Sequence, residues 1–441
     1  MQTEGGWNED GKSLSVYDVV EATADRSDWH FANDNYHHYE EDLDLLKELG
    51  MNMYRIQISW SRCVKDGCGE WNEPGFAYYD RLFNAMLERG IKPMACLYHF
   101  DMPLYLSKQY NGFLGKETTA YFIRFAEECI DRFSDRVKYW ITFNEQNLYH
   151  QRLVFRIGGY DHGEKTTAEM YQMFHNVMYA HCAICSYVHE TTDAKIGGML
   201  AYTPVYPATC APQDVLAAVR RDEYLNIALL DAFARGEYSR DMMHYIEKEG
   251  IDMKATAEEM AVIRSHKEDY IAFSYYSSST ISAENIPSDT VPNDLMLYGK
   301  KDNPYLEATE WGWQIDPAGF RIALHAIYHR CHLPVFPIEN GIGVRETWDG
   351  IHMIEDDYRI AYHREHIKAM LAAMEIDGVE VLGYLGWGLI DILSSQGDMN
   401  KRYGVVYVNR DNHDLKDMKR VKKKSFAWLQ KAIASNGKDL D

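Results

Sequence analysis

Residues 138–145 read KYWITFNE, an apolar run of strand length that ends in an amide and a carboxylate. Six similar runs lie at 54–60, 93–99, 195–200, 270–276, 333–339 and 379–387, separated by longer amphipathic segments. One such segment, 36–50, has apolar residues at helical spacing and ends in Gly50, which predicts a helix with a glycine cap. Alternation of this kind is typical of βα units around a parallel sheet. Seven predicted strands in 441 residues favour a single (β/α)8 TIM barrel over residues 1–441, with one strand unaccounted for.

Polar or aromatic side chains end several of the predicted strands, and in barrels of this class the active site forms at the carboxyl ends of the strands. These strand-end residues are His99, Asn144 with Glu145, Glu339 with Asn340, and Trp387. Either Glu taken alone could equally cap a helix or form a surface ion pair. Glycoside hydrolysis, however, needs two carboxyl groups beside the scissile bond, and each Glu has an adjacent Asn able to bind a sugar hydroxyl.

Two motifs connect these carboxylates with a known family. TFNE at 142–145 and IENG at 338–341 resemble the T-F-N-E and E-N-G motifs of glycoside hydrolase family one. Further similar stretches are SWSR at 59–62, YHFDMP at 98–103, SYY at 274–276 and EWGWQIDP at 310–317. The resemblance implies retaining hydrolysis of β-glucosides in a barrel, with Glu145 as general acid/base and Glu339 as nucleophile. In retaining enzymes the two carboxyl groups lie about 5–5.5 Å apart.

The same resemblance implies binding roles for other residues. Tyr276 matches a tyrosine that orients the nucleophile, and Trp387 matches the tryptophan on which the sugar lies. Gln2, His99 and Asn144 match residues that bind hydroxyls of the sugar at the cleavage site.

The segment 391–403, DILSSQGDMNKRY, bears on which sugar is bound. Family members that act on unphosphorylated sugars carry Glu, followed by Trp, where this chain has Ser394 and Ser395. A carboxylate there would repel a phosphate on the sugar's C6, whereas a hydroxyl can donate a hydrogen bond to it. Ser394, Lys401 and Tyr403 resemble the phosphate-binding triplet of 6-phospho-β-glucosidases and 6-phospho-β-galactosidases. Ser395, where the galactosidase branch has Trp, favours the gluco configuration.

Two alternatives stay open at this level. Lys401 could belong to a solvated loop, because the unphosphorylated branch also carries Lys-Arg there, and the enzyme would then be an ordinary β-glucosidase. The family also begins with a strand that leads into Q-x-E-G, whereas here Met1 directly precedes Gln2. The chain is therefore expected to lack that first strand and to hold Gln2 loosely. A truncated, catalytically impaired sugar-binding relative is the second alternative.

Composition and charge exclude some classes of binding partner and indicate a cellular location. A net charge of −21 disfavours nucleic acid and anionic membranes, whose phosphates are bound by Lys and Arg. No signal peptide or membrane span is recognisable, and the eight Cys residues suggest no disulfide framework, so a cytoplasmic location is expected. Cys182 and Cys185 form a C-x-x-C within a helical pattern; buried, inert thiols are favoured over a redox or metal-binding pair. No metal or cofactor is predicted, and the expected partner is a small sugar; a homo-oligomer is possible.

Overall fold

A curled, all-parallel sheet forms the centre of the molecule in the computed structural model, which describes residues 1–161, 163 and 165–441, the side chains of 153–155 excepted. Its strands follow one another in chain order, as in a barrel built of βα units. They are β1 Met53–Gln57, β2 Lys92–Tyr98, β3 Tyr139–Phe143, β4 Lys195–Ala201, β6 Tyr270–Tyr275 and β9 Val335–Asn340. The predicted barrel class and these six predicted strands are confirmed, with ends shifted by up to three residues.

The seventh predicted strand, 379–387, is less regular. It joins the sheet beside β9 through two parallel bridges, Val335 to Val381 and Asn340 to Gly386. The other strands lie outside the barrel sheet. They are β5 Val205–Pro207, β7 Ser279–Ile281, β8 Lys300–Lys301, β10 Val344–Arg345, β11 Lys401–Arg402, β12 Val406–Val408 and β13 Arg420–Lys422.

Helices connect the strands and cover the outside of the sheet. The longest, α6 (Thr167–Thr191), begins with a capping box in which Thr166 and Glu169 satisfy each other's backbone N–H groups. Gly50 ends the first helix in a left-handed conformation, φ 91°, as predicted. In chain order the helices are α1 Asn35–Leu49, α2 Trp60–Cys63, α3 Glu73–Glu88, α4 Leu104–Tyr110, α5 Lys116–Phe133, α6 Thr167–Thr191, α7 Pro212–Asp222, α8 Ala228–Arg235, α9 Arg240–Glu249, α10 Ala257–Ser265, α11 Pro317–Cys331, α12 Asp357–Glu375 and α13 Lys424–Ala434. No helix within the described ranges has the length and apolar character that crossing a membrane requires.

One barrel position, between β1 and residues 379–387, holds no strand of the described chain. Within the described part of the chain β1 pairs only with β2. Its other edge faces a cavity of about 120 Å³. Apolar side chains of both flanks line this cavity, among them Met53, Ile56, Ile338, Leu385 and Leu389. We call this space the eighth-position cavity; it also reaches His99 and Trp387 at the carboxyl end of the sheet.

The first residues of the chain close the carboxyl end of this cavity. The amine of Met1 donates to Gln57 Oε1 at 3.1 Å, and Gln2 exchanges hydrogen bonds with the backbone of Leu393 through its own backbone and side chain. Glu4 accepts hydrogen bonds from Arg62 Nε at 2.7 Å and from a buried tyrosine hydroxyl. The expectation that Gln2 is loosely held is therefore wrong, because these contacts bury it to 7% exposure.

Candidate active site

The two predicted carboxylates lie on one wall of the barrel, brought together by strand register. Ser274 on β6 is the parallel neighbour of Glu339 on β9. Its Oγ donates to Glu145 Oε1 at 2.5 Å, so Ser274 links the end of β3 to the strand that carries Glu339. Glu145 has φ 45° and ψ 60°, a left-handed conformation that is uncommon for Glu and typical of functional positions under local strain.

The surroundings of Glu145 favour its protonated form. Burial is the main cause, and the negative charge of Glu339 adds to it, so that the pKa of Glu145 rises from 4.5 to about 8. The hydrogen bond from Ser274 and the positive charge of Arg55 act in the opposite direction. At neutral pH this carboxyl group therefore holds a proton that it can donate.

Glu339 is surrounded by donors instead. Arg55 Nη1 makes a short hydrogen bond to Oε1, and the Tyr276 hydroxyl donates to Oε2 at 2.8 Å. Burial and the charge of Glu339 raise the pKa of Tyr276, which keeps that hydroxyl protonated as a donor. Arg55 Nη2 also donates to Asn144 Oδ1 at 2.5 Å. Both oxygens of Glu339 thus accept hydrogen bonds and are fixed in orientation, as an attacking carboxylate requires.

Arg55 is a residue of the candidate site that the sequence patterns did not indicate. It lies within β1, and its side chain, 8% exposed, reaches across the barrel interior to β3 and β9. The sequence did hold one signal, an arginine within a predicted barrel strand. A buried arginine is rare unless a partner neutralises its charge.

Asn340 behaves differently from its proposed counterpart Asn144. Its side chain donates to Tyr275 O at 2.8 Å and to the Tyr362 hydroxyl, and accepts from the Tyr384 hydroxyl at 2.7 Å. Successive side chains of a strand point to opposite faces, so Glu339 faces the barrel interior and Asn340 faces the surrounding layer. The idea that Asn340 binds a sugar hydroxyl is therefore wrong.

Three other predicted sugar-binding residues adjoin a single space. Gln2, His99 and Trp387 all line the eighth-position cavity, and the rings of His99 and Trp387 lie 5.9 Å apart. Burial, with the nearby positive charges of Arg55 and the Met1 amine, lowers the pKa of His99 well below its usual value. His99 is thus a neutral imidazole that can donate or accept a hydrogen bond.

The predicted phosphate triplet adjoins the same wall. The ring of Tyr276 lies 6.4 Å from that of Tyr403 and 5.3 Å from that of Trp313. Lys401 Nζ lies 3.6 Å from the centre of the Trp313 ring and 4.7 Å from that of Trp311. An aromatic surface therefore runs from Tyr276, the hydrogen-bond partner of Glu339, to the ammonium group of Lys401. The two tryptophans belong to the EWGWQIDP motif at 310–317, but no local pattern predicts their contact with Lys401.

Lys401 is a buried cation, 7% exposed. Burial lowers its pKa to about 8, although Asp398 and Glu310 act against this shift. Those two carboxylates pair with Arg345 instead, at 3.9 and 2.9 Å. A buried ammonium held by aromatic faces is an incompletely neutralised charge, and an anion in contact with it would be stabilised.

Ser394 lies in a tight turn of the same loop. Its Oγ accepts a hydrogen bond from the backbone N–H of Asp398 at 3.0 Å, which fixes the oxygen and does not use the hydroxyl proton. Ser394 is 3% exposed, so a group that hydrogen-bonds its hydroxyl would be largely shielded from water.

Comparison with known proteins agrees with this geometry. Residues 1–438 match the model of the family described as Glycosyl hydrolase family 1. The chain is 39% identical to the aryl-phospho-β-D-glucosidase BglH of Bacillus subtilis strain 168, covering 100% of this chain and 96% of that protein. It is 37% identical to a 6-phospho-β-glucosidase of Clostridium longisporum, with the same coverage. Among solved structures, a family 1 β-glucosidase from Thermotoga maritima superposes with a TM-score of 0.88 at 26% identity, over 99% of this chain and 96% of that one.

Proposed function

The chain belongs to glycosyl hydrolase family 1 and is a glycoside hydrolase, and from this premise we propose that it hydrolyses 6-phospho-β-glucosides with retention of configuration. The observation that carries the phosphate preference is the Lys401 ammonium, buried against two tryptophans while its acidic neighbours pair with Arg345. The names of the two relatives, an aryl-phospho-β-D-glucosidase and a 6-phospho-β-glucosidase, support the same substrate class.

In the proposed first step Glu339 attacks the anomeric carbon while Glu145 gives its proton to the leaving oxygen. Arg55 and Tyr276 hold the attacking carboxylate in place. The negative charge of Glu339 is, after burial, the second cause of the raised pKa of Glu145. Formation of the glycosyl ester removes this charge. The pKa of Glu145 then falls, so that the same group can act as a base and take a proton from water in the second step.

Binding of the substrate divides between two groups of residues. Gln2, His99, Asn144 and Trp387 are proposed to contact the glucose ring at the cleavage site. Ser394, Lys401 and Tyr403 are proposed to receive the 6-phosphate, with the lysine supplying charge and the two hydroxyl groups supplying donors.

The decisive experiment compares kcat/KM for p-nitrophenyl β-glucoside and for its 6-phosphate, with NMR detection of the first anomer released. We expect a preference of at least about tenfold for the phosphate, because a hydrogen bond to a charged group contributes roughly 1.5–3 kcal/mol. The first product should be the β anomer. Preference for the unphosphorylated sugar would refute the role of the triplet, and release of the α anomer would refute the double displacement. Cleavage of neither would favour a sugar-binding relative.

A cytoplasmic location is part of the proposal. All eight cysteines are unpaired, and a reducing compartment would keep them so. Cell fractionation with activity assays tests it, and activity confined to the culture medium would contradict it.

A further inference from the structure

A cluster of metal-ligating side chains lies outside the active site, between α6 and the strands β4 and β6. His181 and Cys185 come from successive turns of α6, and so share one face of that helix. His266 and Glu268 come from the segment between α10 and β6. The side chains of His181, His266 and Glu268 are fully buried, and Cys185 is also inaccessible.

The outward-facing atoms of three of these side chains already have partners. His181 Nδ1 is 2.7 Å from the hydroxyl of Thr142, Glu268 Oε2 accepts from the backbone N–H of Gly198 at 2.8 Å, and His266 Nδ1 contacts the carbonyl of residue 263 at 2.5 Å. A nitrogen that faces a carbonyl must carry the proton, so neutral His266 has a lone pair on Nε2. Metal-binding histidines are held in this way by a hydrogen bond at their second nitrogen.

The ligand atoms of His181, Cys185 and Glu268 all lie within 4.8 Å of one another, and His266 adjoins this group through Glu268. Glu268 Oε1 makes a short contact with His181 Nε2 and lies 3.4 Å from His266 Nε2, and Cys185 Sγ lies 3.6 Å from His181 Nε2. His266 Nε2 is buried 3.4 Å from Glu268 Oε1, and although burial opposes it, the interaction with Glu268 raises the pKa of His266. In the neutral ring the lone pair of Nε2 would face the carboxylate oxygen, so a cation between the two atoms is required. That cation is either a proton or a metal ion.

We propose that His181, Cys185, His266 and Glu268 form a structural site for Zn²⁺ or a similar transition-metal ion. Zinc lies about 2.0–2.1 Å from nitrogen, about 2.0–2.2 Å from oxygen and about 2.3 Å from sulfur, so the ligand atoms of a tetrahedral site lie roughly 3.3–3.6 Å apart. The His266–Glu268 separation of 3.4 Å matches one edge of that tetrahedron, whereas Cys185 Sγ, 3.6 and 3.9 Å from the two ring nitrogens of His181, would have to turn toward Nε2 to bind the ion. The His181–Glu268 contact would lengthen to about 3.3 Å once the ion replaces the shared proton.

The chemistry of the donors fits a closed site. Two imidazoles, a thiolate and a carboxylate fill four positions and leave none for substrate, as in structural zinc sites. Burial and the charge of Glu268 raise the pKa of Cys185, so the thiolate would form only when a cation binds it. The ion would fasten α6 to the segment that leads into β6. Both cysteines of the C-x-x-C are buried, as expected from the sequence; in this proposal Cys185 is a ligand, whereas Cys182 packs among apolar side chains.

The metal content of the purified full-length chain is the first test, measured after expression with added Zn²⁺ or Co²⁺. We expect about one ion per chain, and for cobalt the visible and near-ultraviolet bands of a tetrahedral thiolate complex. Cys185→Ser should reduce the affinity at least as much as the roughly 10–100-fold lost with an outer hydrogen-bond partner. Cys182→Ser is the matched control, because it makes the same change one turn away at an equally buried position of α6 and should keep the ion.

Unfolding experiments decide the case if Cys185→Ser fails to fold. Refolding the unaltered chain with Zn²⁺ should raise its Tm above that obtained with a chelator, and the difference should vanish in His266→Gln. Less than one ion per ten chains together with equal Tm values would overturn the proposal. The cluster would then be a proton-stabilised ion pair between His181 and Glu268. Retention of the cobalt spectrum in Cys185→Ser would also contradict it.

Discussion

Removing the hydroxyl of Ser274 should move the alkaline limit of catalysis upward. Ser274 Oγ donates to Glu145 Oε1 at 2.5 Å, and this bond opposes the burial and the charge of Glu339 that together raise the pKa of Glu145 to about 8. A hydrogen bond to an ionised group contributes roughly 1.5–3 kcal/mol, against about 0.5–1.5 kcal/mol for a neutral one. The ionised form of Glu145 therefore loses about 1 kcal/mol more than the protonated form in Ser274→Ala. At 1.36 kcal/mol per unit, the pKa should rise by slightly less than one unit.

The sign follows from the role proposed for Glu145. A general acid must be protonated, so activity falls as the pH rises through its pKa. At pH 7 a group with a pKa of about 8 is roughly 90% protonated, so the variant should gain little there and much near pH 9. Lys401 complicates kcat/KM, because burial lowers its pKa to about 8 as well. The pH dependence of kcat at saturating substrate avoids this, since a bound phosphate keeps the ammonium charged.

The assay should use a 6-phospho-β-glucoside with an alkyl leaving group, because activated aryl groups depart without much protonation. Ser278→Ala is the control, since its buried hydroxyl has no hydrogen-bond partner among the described residues and it lies just beyond β6. An alkaline limb that stays in place or moves to lower pH in Ser274→Ala would refute the reasoning. So would an equal shift in Ser278→Ala.

Three further outcomes follow from the site and the barrel. Glu339→Gln should lower kcat by several orders of magnitude with little change in Tm, and near-full activity would exclude Glu339 as nucleophile. Lys401→Gln should reduce kcat/KM about 10- to 150-fold for the phosphorylated substrate only, the equivalent of about 1.5–3 kcal/mol. The control is Lys419→Gln, which replaces an exposed lysine over Trp348 and should leave kcat/KM unchanged for both substrates. A six-residue apolar strand fused ahead of Met1 should pair with β1 and fill the eighth-position cavity. The gain in unfolding free energy should reach up to about 3 kcal/mol at roughly 24 cal/mol per Å³ for 120 Å³ by urea titration, whereas an Asp/Gly segment of equal length should add nothing.

The barrel strands and the two carboxylates could be predicted because both depend on local patterns. A buried parallel strand is a short apolar run between helices, and the strand-end rule then selects Glu145 and Glu339. Residues 379–387 show where the pattern stops being sufficient. Their sequence is as strand-like as the others, yet they make only two bridges to β9.

The parts of the site that could not be predicted depend on contacts between distant segments. What distinguishes Arg55 from other strand arginines is its hydrogen bonding to Asn144 and Glu339. Both partners are distant in sequence, so the residues around Arg55 do not predict these bonds. The prediction for Asn340 was wrong because it relied on a local pattern. Asn340 is adjacent to Glu339 in sequence, which suggested a shared role, but side chains alternate along a strand and the two residues face opposite sides of the sheet. Lys401 was predicted as a phosphate ligand, but its position above Trp313 arises from loop packing that no local pattern specifies.

Arg55 also bears on how the active site keeps its geometry beside an unfilled barrel position. In a closed barrel each strand is held by hydrogen bonds on both edges, whereas the described residues hold β1 on one edge only. Arg55 extends from β1 across the interior and binds Asn144 at the end of β3 and Glu339 on β9. These charge-assisted bonds connect β1 with the far side of the sheet through the interior rather than around the rim. The same guanidinium that binds Glu339, the proposed nucleophile, therefore also connects β1, which is paired on one edge, with β3 and β9.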